Sequence, residues 1–264
     1  MGDDLRRWPT GDDELVELQE RLAREAEAAI DADPWTLAVR PVLGGCVVAF
    51  ARGEAGPGKP GDRAWGAAVA WRPRDASGDP RRPADGHLRG ALANGVPRRA
   101  DDVLAQAVVA DRVAAAYVPG LLALREGPLL AAAVSALGVR PEVLLVDATG
   151  LDHPRRAGLA VHLGVVTGVP TVGVTHRPLL ASGPLPEFRR GALAPITIDD
   201  RRVGFWVCTR TGARPVVAHA GWRTSPETAA QTVLVASTES ARTPVPLQEA
   251  RRVAREARAL AGGG

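Results

Sequence analysis

Residues 142–176, EVLLVDATGLDHPRRAGLAVHLGVVTGVPTVGVTH, alternate between two kinds of apolar run. The first, VLLV, is short, continuous and β-branched, which fits a strand buried on both faces, and it ends on an acid, Asp147. From His153 onward the apolar residues fall at helical spacing until Gly168, a residue suited to closing a helix. PTVGVTH then returns to a strand pattern. Strand, helix and strand in this order make a parallel unit, so an α/β protein is expected. Sites in open α/β sheets form outside the carboxyl ends of strands, which makes Asp147 a functional candidate; an N-cap or turn aspartate fits the same pattern equally well.

The pattern continues in both directions. Downstream, GFWVCTR (204–210) and RPVVAHA (214–220) read as a hairpin, PETAAQTVLVAST (226–238) as a helix, and VPLQEARRVAREARALA (245–261) as a basic amphipathic helix. Upstream, GPLLAAAVSALG (127–138) reads as a helix with Glu126 at or inside its start. VLAQAVVADRVAAA (103–116) suits a strand or a helix by periodicity. VLGGCVVAFA (42–51) and WGAAVAW (65–71) form a hairpin around a Gly- and Pro-rich tip, and residues 72–100, rich in Pro, Gly and Arg, are expected to be a flexible loop. Asp12 to Asp33 reads as an amphipathic helix ended by Pro34, so residues 1–35 form an N-terminal helix region. An opening hairpin followed by strand–helix alternation implies a mixed sheet flanked by helices. No repeat or linker divides the chain, and one domain over residues 1–264 is expected.

Composition narrows the function less. A chain of 264 residues can bury a sizeable core without staples, and Cys46 and Cys208 both lie in apolar runs where small buried hydrophobes are expected. No apolar stretch approaches the roughly 20 residues that span a bilayer. The start of the chain carries acids and arginines rather than a secretory run, so a cytoplasmic monomer with no membrane partner is expected. The net charge of +3 rests almost wholly on arginine, with Lys59 the sole lysine, and by itself it does not specify a nucleic-acid partner.

The chemistry gathers in a few segments. HPRR puts His153, Arg155 and Arg156 at the expected start of a helix, where backbone N–H groups and guanidiniums favour phosphate. YVPGLLALRE places an aromatic, Tyr117, before a Pro-Gly turn of the kind that lies on surfaces, nine residues ahead of Glu126. These two segments, the stretch from Leu144 to Val174, and VGFWVCTRTGARPVVAHAGWRTSPETA resemble endonuclease V in order and spacing. The resemblance runs from about Trp8 to the last helix, with an insertion in the first hairpin. It implies an RNase H-like fold, makes residues 103–116 a strand, and implies a nuclease that uses Mg²⁺ (or Mn²⁺) to cut single-stranded or damaged DNA or RNA near deaminated purines, chiefly inosine. By the same resemblance Glu126 and Asp147 would hold the metal, and His153 would lie by the site near a phosphate. Tyr117 would belong to a wedge beside the lesion. Gly120, the backbone at Leu121, and Gly150 would border the pocket of the flipped base. Arg155 and Arg156 would meet phosphate, and His176 stands where the family has a lysine.

Besides His176, DATG stands for the family's DGHG and Ala116 for the leading proline of the wedge, and two departures fall at the metal site itself. The first strand reads GGCVVAF where the family carries its primary aspartate, so Val47 stands in that place without an oxygen to offer. The family's GHR segment reads GWR, which puts Trp222 in place of a histidine, as a core or base-stacking aromatic. His219, Asp62 and Glu54 are the nearest groups to consider as substitutes, and the latter two lie too far along the hairpin. Canonical catalysis is therefore expected to be impaired or abolished. The open readings are a weak nuclease, a silent reader of modified bases, and an interaction protein that kept the fold.

Overall fold

The structure, a computed structural model, describes residues 3–51, 58–73 and 102–262. Among these, eight strands form one sheet: β1 (Leu43–Phe50), β2 (Arg63–Trp71), β3 (Val103–Arg112), β4 (Val143–Val146), β5 (Thr171–Thr175), β6 (Leu193–Ile198), β7 (Arg201–Val207) and β8 (Val216–Ala220), in the order β3-β2-β1-β4-β5-β8-β7-β6. Within it β1–β4 and β4–β5 pair in parallel. The other neighbours pair antiparallel, as expected of hairpins at both ends of a mixed sheet. The helices are α1 (Asp12–Ala32), α2 (Leu122–Ser135), α3 (Leu159–Thr167), α4 (Pro226–Val235) and α5 (Val245–Ala261).

Side-chain alternation sorts the helices into two layers. Cys46, Leu144 and Val146 face α1, α2 and α3, and the same layer continues over Trp206 and Val217. Leu43, Val47, Val143 and Leu145 face α4 and α5 with Val172, Val174 and Ala218. Cys46 and Cys208 are buried free thiols.

Three elements differ from the sequence reading. Helix α3 starts at Leu159, six residues after His153, because Arg156 takes a φ of 54° that no helix can contain. Helix α2 starts at Leu122, so Glu126 lies in its second turn and Pro128 inside it. Strand β6 has no clear signal because Pro195 interrupts it, a residue tolerated here because β6 is the edge of the sheet. Of the loop expected at 72–100, all but Arg72 and Pro73 lies outside the described residues.

Candidate functional site at the strand ends

The parallel pairing of β1 with β4 stops short of the end of β1, which runs on to Phe50 beside β2. The parallel register pairs Gly45 with Leu145 and Cys46 with Val146, and it runs out at Val47 and Asp147. Glu126 comes to the same place from α2, near enough that Asp147 adds to the burial that pushes its carboxyl up to about 8. Of the residues expected to hold a metal, Glu126 and Asp147 thus lie near enough for the charge of one to act on the other. Val47 is 3% exposed and packs into the apolar layer under α5. The Asp147 carboxylate is taken up by a residue that the sequence did not point to: Arg251 of α5 donates to its Oδ2 at 2.6 Å.

Beside these acids stands the loop before α2. Val118 to Leu121 close a turn with Pro119 second and Gly120 third, and Gly120 has the φ of +80° that a type II turn requires. Its carbonyl accepts from Gln19 Nε2 (3.1 Å), His153 Nε2 (3.0 Å) and Arg155 Nη2 (3.2 Å). Arg155 Nε in turn donates to Gln19 Oε1 at 2.6 Å. With its Nδ1 accepting from the Arg155 amide, both ring nitrogens of His153 are engaged, and burial holds the imidazole neutral with a pKa lowered to about 4. Three donors on one carbonyl fix the turn, while Tyr117 just ahead of it is 46% exposed. A cleft of about 200 Å³ opens between the loop and the strand ends, lined by Gln19, Tyr117, Gly120, Asp147, Thr149 and Thr175 among others.

The remaining candidates are placed differently. Gly150 is needed because a Cβ there would stand 1.9 Å from the Ala220 carbonyl, which lets the loop after β4 lie on β8. Leu121 is buried in the layer beneath α2. His153, Arg155 and Arg156 sit in turns before α3 rather than at its first turn, whose N-cap is Gly158. Arg156 reaches Ile198 and Asp199 at the β6–β7 turn, away from the cleft. His176 is exposed, within reach of the charges of Arg242, Asp147 and Arg251, and burial and the Arg242 charge lower its pKa.

His219 is fully buried on the α3 side of β8, with Nε2 2.7 Å from Thr175 Oγ1 and Nδ1 3.6 Å from Asp152 Oδ2. Asp152 itself accepts from the amides of Leu179, Leu180 and Ala181 and ties down the segment after β5. Trp222 packs at 7% exposure with Val161, Val165 and Trp206, in the layer opposite to Val47, so it is a core residue. Asp62 is consumed by Arg125, at 2.8 Å, and Glu54 lies outside the described residues.

Sequence reasoning missed Gln19, Asp152 and Arg251. Gln19 had a signal, a polar residue on the apolar stripe formed with Leu15, Leu18 and Leu22. Arg251 had none, because it looked like any base on a solvated helix face.

A mixed sheet with two parallel pairings at its centre, helices on both faces and acids at the strand ends defines an RNase H-like α/β protein. The Endonuclease V family profile matches residues 90–252, and the chain belongs to that family. Endonuclease V of Roseiflexus castenholzii is 44% identical over 133 residues, which is 50% of this chain and 60% of the relative; the chain thus spans less than two thirds of that relative's length. The crystal structure of endonuclease V from Streptomyces avermitilis superposes with a TM-score of 0.74 at 30% identity, covering 96% of both chains. Endonuclease V of Ciona intestinalis, solved with a 24mer DNA containing an inosine followed by a ribo-adenosine, has a TM-score of 0.64 at 19% identity and covers 93% of this chain and 96% of its own, a likeness in fold alone.

Proposed function

We propose that this protein recognises a displaced base, chiefly inosine or another deaminated purine, in single-stranded or damaged DNA or RNA, with metal-dependent cleavage impaired or abolished. The observation that carries this reading is the pairing of Asp147 with Arg251 beside Val47. Family membership implies a divalent cation, Mg²⁺ or Mn²⁺, and the donor set does not fit one. Val47 has no donor atom, Trp222 points into the opposite layer, and one of the two carboxylates is held by a guanidinium. Among the described residues no three of His, Cys, Asp and Glu converge.

The binding half of the site remains. Tyr117 is exposed just ahead of a turn that Gln19, His153 and Arg155 hold, which suits a ring that stacks beside a lesion. His153 and Arg155 act as clamps of that turn. The inosine-containing DNA held by the Ciona relative favours the same class of ligand.

Incubation with single-stranded inosine-containing DNA and RNA, in Mg²⁺ or Mn²⁺, beside a Glu126→Ala/Asp147→Ala control, tests the reading. No cleavage with retained binding is the expected result; cleavage that disappears in the control would overturn it. Tyr117→Ala should weaken binding of the inosine strand by about 1–3 kcal/mol, the worth of one base–aromatic stack. The loss on an unmodified strand should be smaller, as fluorescence anisotropy can measure. Equal losses on the two strands would remove Tyr117 from base recognition.

A further inference from the structure

The helix that delivers Arg251 is set against β1 by two contacts. A Cβ on Gly45 would fall 2.3 Å from the Pro246 carbonyl carbon, so only glycine lets α5 begin this close to the strand. At the other end Arg258 Nη1 donates to the Phe50 carbonyl at 3.1 Å. Helix and strand therefore run in the same direction. From Pro246 to Arg251 a helix rises roughly 7.5 Å. From Gly45 to Val47 a strand rises roughly 6.6 Å. The match brings residue 251 over the middle of β1, at the point where β4 stops, and there Val47 offers only a methyl-covered floor and Asp147 the nearest carboxylate.

We infer that the Arg251 guanidinium, seated on Asp147, occupies the position of a divalent cation and is the cationic group that meets a phosphate of the bound strand. The phosphate role rests on the nucleic-acid reading above. Arg251 keeps 28% of its side-chain surface and Asp147 40%, so the pair is open to a ligand rather than sealed. A guanidinium with one edge on a carboxylate has further N–H donors to give, and it suits a phosphate's oxygens. Arg242 donates to the carbonyls of Pro215 (2.7 Å) and His176 (3.4 Å), and the charges that act on His176 are Arg242 and Arg251 against Asp147, so a second arginine lies near this pair. Arg252, next in sequence, is paired instead with Glu249 and Glu256.

The test uses the full chain and a fluorescein-labelled single strand containing inosine, with anisotropy followed over a salt series in EDTA and in Mg²⁺. Affinity should be the same in both media. Arg251→Ala should weaken binding about tenfold and flatten the dependence of log K on log salt by roughly 0.7, the value of one phosphate contact on a single strand. Arg252→Ala should leave both unchanged. Removing Arg251 also exposes the Asp147 charge, so Arg251→Ala/Asp147→Asn is the deciding variant. It should stay weak; a return to the starting affinity would reduce Arg251 to a neutraliser of Asp147 and overturn the phosphate role. An affinity that needs Mg²⁺ would overturn it as well.

A second arm uses Mn²⁺ alone, followed by electron paramagnetic resonance. The native protein should not bind the ion at millimolar concentration, and Val47→Asp/Arg251→Ala should. Were the native protein to bind Mn²⁺ as well as this variant does, Arg251 would not be in the cation's place. Were the strand not bound at all, the nucleic-acid reading would fall and take the phosphate role with it, while the Mn²⁺ arm would still decide which group fills the position.

Discussion

Replacing Arg125 by alanine should cost about 3–5 kcal/mol of folding stability, the usual penalty for stripping one partner from a buried ion pair. Arg125 is 5% exposed and Asp62 3%, with Nη2 and Oδ2 at 2.8 Å. The guanidinium also donates to the carbonyls of Ala115 (2.7 Å) and Lys59 (3.2 Å) and lies 4.3 Å above the Phe50 ring. One side chain thus joins the first turns of α2 to the β1–β2 connection and to the segment after β3. Alanine would leave the Asp62 carboxylate in the interior without its counter-charge and two carbonyls without their donor. Urea unfolding gives the measurement through a lowered midpoint at constant slope. A loss below about 1 kcal/mol would mean that water reaches the pair and that it ranks with surface bridges. Because Glu126 is the next residue, the variant should also loosen the acid end of the cleft.

Acid should destabilise the fold well above the range in which carboxylates titrate. His153, His162 and His219 are all buried and held neutral, each with its pKa lowered from 6.5 to about 4 by burial. As pH falls below 6.5 the unfolded chain takes up three protons that the folded chain refuses until about 4, so stability declines across that window. Glu126 works in the opposite sense. With its pKa raised to about 8, the folded form holds one proton more than the unfolded form between about 4.5 and 8. Near pH 5 the unfolded state therefore binds about two protons more, which corresponds to a slope of about 2–3 kcal/mol per pH unit at its steepest. Urea midpoints at about pH 7 and pH 5 measure it. His162 is the cleanest variant, since it lies against Trp8 with Nε2 on the Arg7 carbonyl, away from the cleft. His162→Gln should remove one proton from the difference. Equal midpoints at the two pH values would show that these imidazoles charge freely in the folded state.

How much of this was legible follows from how local each feature is. Strand β4 and its terminal acid, β5, α4 and α5 were all readable, because burial on two faces and helical periodicity are written in consecutive residues. The mixed sheet followed from the order of those elements. The start of α3 was misread because nothing in HPRR reports that Arg156 adopts a positive φ. Trp222 fitted a core or a stacking residue on sequence grounds, and only the packing against Val161 and Trp206 settles its place. The pair of Asp147 and Arg251 spans 104 residues, and no local pattern carries such a contact. The absent carboxylate at Val47 was visible in consecutive residues; the group that takes its neighbour's charge came from the docking of a helix on a strand.

That docking also limits how this chain can change. Inserting one residue between Pro246 and Arg251 would turn every later side chain of α5 by about 100° and slide it by about 1.5 Å. Gly45 pins one end and the Phe50 carbonyl the other, so the helix has no slack to absorb such a phase error. Lineages that keep this helix can alter the charge at position 251 by point substitution but not by insertion or deletion. Any such length change should be found in the segment between Ser237 and Pro244, before the helix is engaged.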